Sequence, residues 1–272
     1  MTRVPRIASR QHPVVRRLRR LATRRETGVV LIDGAHLLAD ALTARVRVEL
    51  VLTDGRHAAL IERARAAGAE VHEGSASVLE AASPVTSPTG IVALARWQPQ
   101  EMADVLAADA PIIGLVGVQD PGNVGSVIRS ADALGAGGVL LLDHSADPGS
   151  WKCLRGAMGS TFRIPIARGR SDDLLEQANA RQRPVVAAVA NSGTPLESMV
   201  LGDTAIVLLG NEGAGLAEAL SARAAQTMTI TMRAGMDSLN VSVTAALILW
   251  EAHRQRHAAR QLRPGVQAGQ AR

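Results

Sequence analysis

Alternation of apolar runs with longer amphipathic segments in the second half of the chain most constrains its fold. The apolar runs predict strands at 111–118, 138–142, 184–190, 205–209 and 227–230. The segments between and after them predict helices at 123–134, 152–158, 171–181, 217–222 and 239–254. Parallel strands that are covered on both faces are apolar along their whole length. The pattern therefore predicts an α/β fold with a parallel sheet and helices on both of its faces.

The first 97 residues repeat the alternation on a smaller scale. Strands are predicted at 29–32, 46–52, 70–72 and 91–95, and helices at 13–24, 35–42, 58–67 and 75–81. We therefore predict a small α/β domain at 1–97 with a basic N-terminal arm, and a larger domain at 110–257. Residues 98–109 are predicted to form a linker, and residues 258–272 a flexible tail.

Positive charge is concentrated at the N-terminus. The net charge is +5, and the first 25 residues contain nine arginines and no acidic residue. Arg16, Arg17, Arg19 and Arg20 fall on one predicted helix, where guanidinium groups suit phosphate. One Phe, three Trp and no Tyr argue against single-strand binding on an aromatic sheet. The charge thus predicts a nucleic-acid partner contacted mainly through its phosphates.

Other classes of site and location are disfavoured. Cys153 is the one cysteine, so an internal disulfide is excluded, and the seven histidines lack the paired spacing of a metal site. No apolar run is long enough to span a membrane, and the N-terminus lacks the apolar stretch of a signal peptide. We expect a cytoplasmic protein that binds neither metal nor membrane.

A glycine-rich turn, Gly210-Asn211-Glu212-Gly213-Ala214-Gly215, follows the predicted strand at 205–209. Its glycines would let the backbone approach a ligand closely, and Glu212 adds an acid that a plain turn does not need. An ordinary strand-to-helix turn explains the same residues equally well. A dinucleotide site is disfavoured, because the next strand lacks the acid that would bind the ribose.

Two further turns carry polar residues in a similar setting. Asn123 is predicted to cap the helix that contains Arg129, and Ser238 or Asn240 to cap the last helix. The predicted inner face of that last helix comprises Leu239, Val243, Leu247 and Trp250. Each turn taken alone is explained by helix capping.

Together, and in this order, the three stretches resemble the motifs of the SpoU/TrmH family, in the SPOUT superfamily. The resemblance covers about 108–255, and the segment 85–95 resembles the end of the RNA-binding domain that many members carry. Members are S-adenosylmethionine-dependent RNA ribose 2′-O-methyltransferases whose catalytic domain contains a deep trefoil knot. The resemblance implies cofactor contacts from Gly210, Ile230 and Leu239, and assigns catalysis or pocket organisation to Arg129, Asn123, Glu212, Ser238 and Asn240.

The resemblance leaves several alternatives open. Arg129 is the family's proposed general base, but a guanidinium stays protonated and is poorly suited to that role. The alternative role is to bind a phosphate and stabilise the forming alkoxide. The family implies a homodimer, and the apolar side of the last helix (Val243, Ala246, Leu247, Trp250) could serve that interface or the core. The accessory domain favours ribosomal RNA over tRNA, and an inactive RNA-binding homologue is a further alternative.

Overall fold

The computed structural model describes residues 4–24, 26–211, 213–236 and 238–261. The chain divides into two compact units. The first contains residues up to 99 together with 120–129 and 146–163, and the second contains 100–119, 130–145 and the residues from 164 onward. The stretches 120–129 and 146–163 therefore pack with the N-terminal unit although they follow it in sequence.

Both sheets are formed by short strands. They are β1 (Arg6–Ile7), β2 (Val29–Asp33), β3 (Arg47–Thr53), β4 (Glu70–Gly74), β5 (Ile91–Arg96), β6 (Ile112–Val116), β7 (Gly138–Leu142), β8 (Ile166–Gly169), β9 (Val185–Ala188), β10 (Thr194–Pro195), β11 (Ile206–Leu209) and β12 (Gln226–Thr229).

Helices connect most of the strands. They are α1 (Pro13–Thr23), α2 (Ala35–Thr43), α3 (Ala58–Ala66), α4 (Ala76–Ala82), α5 (Met102–Val105), α6 (Pro121–Ala133), α7 (Trp151–Ala157), α8 (Ser171–Ala180), α9 (Glu218–Ser221) and α10 (Val241–Gln261). None of the helices within the described ranges is long and apolar enough to cross a membrane.

The first unit contains a five-stranded sheet in the order β1-β4-β3-β5-β2. β5 runs antiparallel to both β3 and β2, whereas the other pairs are parallel. Side chains alternate between two cores, because successive residues of a strand point to opposite faces. In β2, Val30 and Ile32 join the core that includes α2 and α3, and Val29 and Leu31 join the core that includes α1 and α4.

The second unit contains a seven-stranded sheet in the order β10-β12-β9-β11-β6-β7-β8. Every pair of neighbours in this sheet is parallel, which confirms the predicted parallel α/β fold. β11 and β6 lie at its centre, with Ile206 opposite Ile112 and Leu209 opposite Leu115. The carboxyl ends of these two strands therefore meet at one edge of the sheet.

Residues 100–109, most of the segment 98–109 that was predicted to be a linker, belong to the second unit. They contain α5, and Met102, Val105 and Leu106 are buried in that unit's core. The guanidinium of Arg183, itself buried, donates to the carbonyl oxygens of Leu106 and Ala108 at 2.8 and 2.6 Å. Apolar side chains at helical spacing and a buried arginine thus hold a stretch whose polar composition predicted a loop.

The last helix differs from its prediction in both length and orientation. α10 extends to Gln261, and residues 262–272 of the predicted tail lie outside the described residues. The predicted inner face is wrong: Leu239, Val243, Leu247 and Trp250 are 36, 46, 40 and 55% exposed. Another face of the helix is buried instead, formed by Val241, Ala245, Ile248, Leu249 and Ala252. α10 therefore has two apolar faces, of which one packs inside the unit.

Candidate active site

The turn after β11 folds back on its own start. The side-chain Oδ1 of Asn211 accepts hydrogen bonds from the backbone N–H groups of Gly213 and Ala214 at 2.9 and 3.4 Å. The N–H of Gly215 donates to the carbonyl of Asn211 at 2.8 Å. A Cβ on Gly210 would overlap the backbone of Gly215 and Leu216. The close return of the chain therefore requires glycine at 210.

Asn211 also joins this turn to the neighbouring strand. Its Nδ2 donates to the carbonyl oxygen of Gly117, just after β6, at 2.9 Å. Gly117 has a φ of +65°, a conformation that glycine adopts without strain. One side chain thus fixes both the shape of the turn and its place at the sheet edge. This role of Asn211 was not predicted from the sequence, although an Asn close to glycines after a buried strand indicates a side chain that bonds to the backbone of its own turn.

A cavity of about 320 Å³ lies beside the turn. Three stretches line it: residues 188–190 after β9, residues 209–211 with 213–215, and residues 228–230, 232, 238, 239, 241 and 244. Its walls are largely apolar, with Val189, Met228 and Leu239 among them, and none of the described lining residues carries a charged side chain. This volume falls within the range of about 300–1,000 Å³ that is usual for small-molecule sites.

The structure brings four of the predicted site residues together around this cavity. Gly210, Ile230 and Leu239, predicted to contact the cofactor, all line it, as does Ser238. Asn240 caps α10: its Oδ1 accepts from the backbone N–H of Ser242 at 2.8 Å and from the Ser242 hydroxyl at 2.6 Å. The cap fixes the start of α10, whose Val241 and Thr244 form part of the wall. Glu212 lies outside the described residues.

These residues fit S-adenosylmethionine. Backbone exposed at Gly210 suits a ligand that is bound through main-chain groups, and the apolar walls suit a flat adenine ring. The lack of basic side chains among the described lining residues suits the positive sulfonium centre.

The two remaining residues that were predicted to act in catalysis, Asn123 and Arg129, lie on α6, within the first unit. Asn123 does not cap this helix, so that prediction is wrong. The helix begins two residues earlier, at Pro121, and Asp120 accepts from the Asn123 backbone N–H at 2.8 Å as its cap. Proline suits the first helical position, which the prediction overlooked. The exposed side chain of Arg129 forms no hydrogen bond or ion pair with the residues that the structure describes.

The four arginines of α1 are not equivalent. Arg16, Arg19 and Arg20 are exposed. Arg17 is half-buried and pairs with Glu26 at 3.0 Å and with Glu49 at 3.5 Å. Burial acts to raise the pKa of Glu49, but its bonds and ion pairs with Arg96 and Arg17 lower it overall. Arg16, Arg19 and Arg20 form no such pair with any residue that the structure describes, whereas Arg17 stabilises the unit.

Comparison with known proteins assigns the family. The model of the SpoU rRNA Methylase family matches residues 110–250, just over half of the chain. The chain belongs to the SpoU rRNA methylase family. Residues 12–93 match the MRM3-like substrate binding domain.

Relatives of this family align along nearly the whole chain. The 23S rRNA (guanosine(2553)-2′-O)-methyltransferase RlmP of Bacillus subtilis is 31% identical over 90% of this chain and 97% of its own length. The S-adenosylmethionine-bound rRNA methyltransferase of Sinorhizobium meliloti superposes with a TM-score of 0.85 at 29% identity, over 92% of this chain and 98% of its own. AviRb of Streptomyces viridochromogenes, also solved with the cofactor, gives a TM-score of 0.80 at 26% identity, over 91% of this chain and 99% of its own.

Membership confirms the activity predicted from the three motifs. As a SpoU family member, the protein is an S-adenosylmethionine-dependent RNA 2′-O-methyltransferase. Its fold matches those of the solved SpoU methyltransferases. The knotted threading of the chain stays a prediction of the resemblance.

Proposed function

We propose that the protein methylates a ribose 2′-hydroxyl of ribosomal RNA, with the cofactor held in the cavity beside the turn after β11. The observation that carries this proposal is the convergence of Gly210, Ile230 and Leu239 on that cavity. Ribosomal RNA is favoured over tRNA because RlmP is named for a 23S rRNA target and aligns along 90% of the chain. A ribosomal substrate would place the enzyme in the cytoplasm.

When bound, S-adenosylmethionine supplies an electrophilic methyl group to the ribose 2′-oxygen. Gly210, Ile230 and Leu239 would bind and orient it, largely through main-chain groups. Holding reactants in line accounts for much of the rate of such a transfer. Ser238 and Glu212 organise the pocket, and Asn240 positions its wall by capping α10.

Arg129 is proposed to contact the RNA. Its guanidinium is exposed and stays protonated, so it can hold a phosphate and stabilise negative charge on the 2′-oxygen as that oxygen gives its proton to solvent water. Asn123, whose backbone is fixed by Asp120, positions Arg129 or the substrate. This assignment favours charge stabilisation over the role of general base.

The two domains divide the work. Residues 110–257 catalyse the methyl transfer, whereas residues 1–97 bind the RNA, with Arg16, Arg19 and Arg20 in contact with its phosphates.

We also propose a homodimer that forms through the exposed face of α10, where Val243, Leu247 and Trp250 are 46, 40 and 55% exposed. Apolar side chains at this spacing form a continuous stripe along a helix.

Transfer of labelled methyl groups to purified rRNA and to tRNA tests the proposal. The wild type should label rRNA, and Arg129→Ala should bind the cofactor normally while losing about 10²–10³-fold in kcat. Arg170→Ala, at another exposed arginine, is the matched control. Labelling of tRNA alone would identify the alternative substrate. Cofactor binding without transfer to either RNA would indicate an inactive homologue.

A further inference from the structure

A second recess, of about 740 Å³, lies in the first unit. It is formed by the turn after β2, the turn after β3, the loop 85–89 and the residues around Arg155. Its lining combines apolar side chains, among them Leu37, Leu154 and the 52% exposed Met158, with charged ones. We call this recess the β2 groove. Apolar walls with a few convergent polar groups are typical of ligand sites.

A carboxylate with a free oxygen lies in the β2 groove. Ser83 donates its hydroxyl to Oδ2 of Asp33 at 2.6 Å, whereas Oδ1 accepts from no residue that the structure describes. Burial raises the pKa of Asp33, and the Ser83 hydrogen bond and the charge of Arg155 only partly oppose it. Because the folded-state pKa is raised, ionised Asp33 costs folding free energy at neutral pH. A carboxylate that lies in a recess although its ionisation destabilises the fold is a candidate for a contact with a ligand.

A preorganised arginine lies at the same groove. Nε of Arg56 donates to Oδ2 of Asp54 at 2.6 Å, and its backbone N–H donates to Oδ1 at 3.1 Å. Gly90 permits this arrangement, since a Cβ there would lie 2.8 Å from Nη2 of Arg56. The Arg56 side chain is 66% exposed, and its terminal nitrogens donate to no residue in the described part of the chain. They are thus oriented for an anion, and the fork geometry of guanidinium suits phosphate.

We propose that the β2 groove holds one unstacked nucleotide of the substrate RNA, with Arg56 and Arg155 on phosphate and Asp33 accepting an N–H from a base that has an exocyclic amino group. The inference rests on the RNA methylation proposed above. Guanine, cytosine and adenine offer such amino donors, and carboxylates are known acceptors for them. In uracil the single ring N–H is flanked by two carbonyl oxygens, which repel a carboxylate. Asp33 therefore distinguishes bases with an exocyclic amino group from uracil, whereas the arginines bind phosphate whatever the base.

Binding of short RNAs to the full chain tests this reading. The probes are fluorescein-labelled hexauridine and the same hexamer with guanosine, cytidine or adenosine at its centre, and the readout is fluorescence anisotropy. The wild type should bind at least one amino-bearing hexamer about fivefold or more tighter than hexauridine.

Asp33→Asn is the informative variant. The asparagine oxygen still accepts from Ser83, and removal of a costly charge should leave folding at least as favourable. The free acceptor becomes a donor, so the preference for amino-bearing bases should vanish or reverse towards uridine. Arg56→Ala should instead weaken all four hexamers alike and lower the salt slope by about 0.7.

The proposal is overturned if the wild type binds no hexamer, if it does not discriminate among them, or if Asp33→Asn leaves the preference unchanged. Cofactor titration and methyl transfer to rRNA are measured on the same samples. If the wild type transfers methyl groups normally but binds all four hexamers equally, only the proposed role of Asp33 in base recognition is rejected. Absence of transfer to any RNA would instead reject the proposed function.

Discussion

The Nδ2 atom of Asn211 lies 2.9 Å from the carbonyl oxygen of Gly117, although the two residues are 94 positions apart in the sequence. The contact joins the ends of β11 and β6, which are neighbours at the centre of the second sheet. The other side-chain atom of Asn211, Oδ1, holds the turn that lines the cavity. A single amide therefore both holds the turn that lines one side of the cavity and joins that turn to the end of β6.

Replacing Asn211 by Asp should weaken cofactor binding. The carboxylate would still accept from Gly213 but would lose its donor and face the Gly117 carbonyl oxygen. An unsatisfied or repelled polar group costs about 1–3 kcal/mol, so the Kd should rise about tenfold or more. Calorimetric titration with S-adenosylmethionine measures the change. Asn191→Asp, at an exposed asparagine, is the control, and equal affinities of the two variants would refute the role of Asn211.

Gly210→Ala should disrupt the same turn more severely. The added methyl group would meet backbone atoms of Gly215 and Leu216, which cannot move aside as a flexible side chain could. We expect loss of measurable cofactor binding and a free energy of unfolding lower by about 1–3 kcal/mol. Gly202→Ala is matched to it, because a Cβ there would meet no atom within 4 Å. Normal binding by Gly210→Ala would show that the turn is not closed as described.

The sequence predicted the parallel sheet well, because buried parallel strands such as β7 are apolar at every position. It missed β8, since Ile166–Gly169 has four residues and includes an arginine and a glycine. It missed the cap of α6 for a different reason: Asp120 and Asn123 are both good caps, and only the position of Pro121 at the first helical residue distinguishes them.

Periodicity alone could not assign the faces of α10. Val243, Leu247 and Trp250 have the spacing of a core face, yet the helix buries Ala245, Ile248 and Leu249. Both sets are apolar, and a sequence pattern does not distinguish a core from an interface between copies. For the candidate site, the family resemblance implied cofactor contacts from Gly210, Ile230 and Leu239, and all three line the cavity. The Asn211–Gly117 contact depends on which strands become neighbours, which no local pattern specifies.

Leu247→Glu should convert the proposed dimer to a monomer. A charge at the centre of the exposed apolar stripe would have to be desolvated in an interface, at a cost of several kcal/mol. Sedimentation velocity at micromolar concentration distinguishes the two states. Ala259→Glu is the control, since Ala259 is exposed on α10 at about 120° from Leu247 around the helix axis. A wild type that sediments as a monomer would refute the homodimer.

Arg16 and Arg17 should differ in their effects on RNA binding. Arg16 is exposed, so Arg16→Ala should reduce the slope of log affinity against log salt by about 0.7–0.9. Arg17 pairs with Glu26 and Glu49, so Arg17→Ala should leave the slope nearly unchanged and lower the unfolding free energy instead. Filter binding of rRNA at several salt concentrations and urea unfolding separate the two effects. A larger slope change for Arg17→Ala would contradict the assignment.

Glu251 should make the stability of α10 depend on pH. Hydrogen bonds from Arg254 lower the pKa of Glu251 against the effect of burial, with further contributions from Gln255 and the Arg254 charge. Because the folded-state pKa is depressed below the ordinary value of 4.5, its stabilisation is present above that value and is lost as pH falls through the folded-state pKa.

Urea unfolding at about pH 7 and about pH 3.5 tests this dependence. Glu251→Gln should be less stable than the wild type at the higher pH, and the difference should shrink at the lower. Glu176→Gln, at an exposed position, should show no such change. A constant difference for Glu251→Gln would contradict the linkage.

The most direct test of the central claim is to locate the transferred methyl group. The purified protein is incubated with rRNA and labelled S-adenosylmethionine, and the RNA is then digested with alkali. A ribose methylated at its 2′-oxygen cannot assist cleavage of the adjacent phosphodiester, so the label should appear in alkali-resistant dinucleotides. Label in mononucleotides would place the methyl group on a base, and either that result or the absence of label would contradict the account.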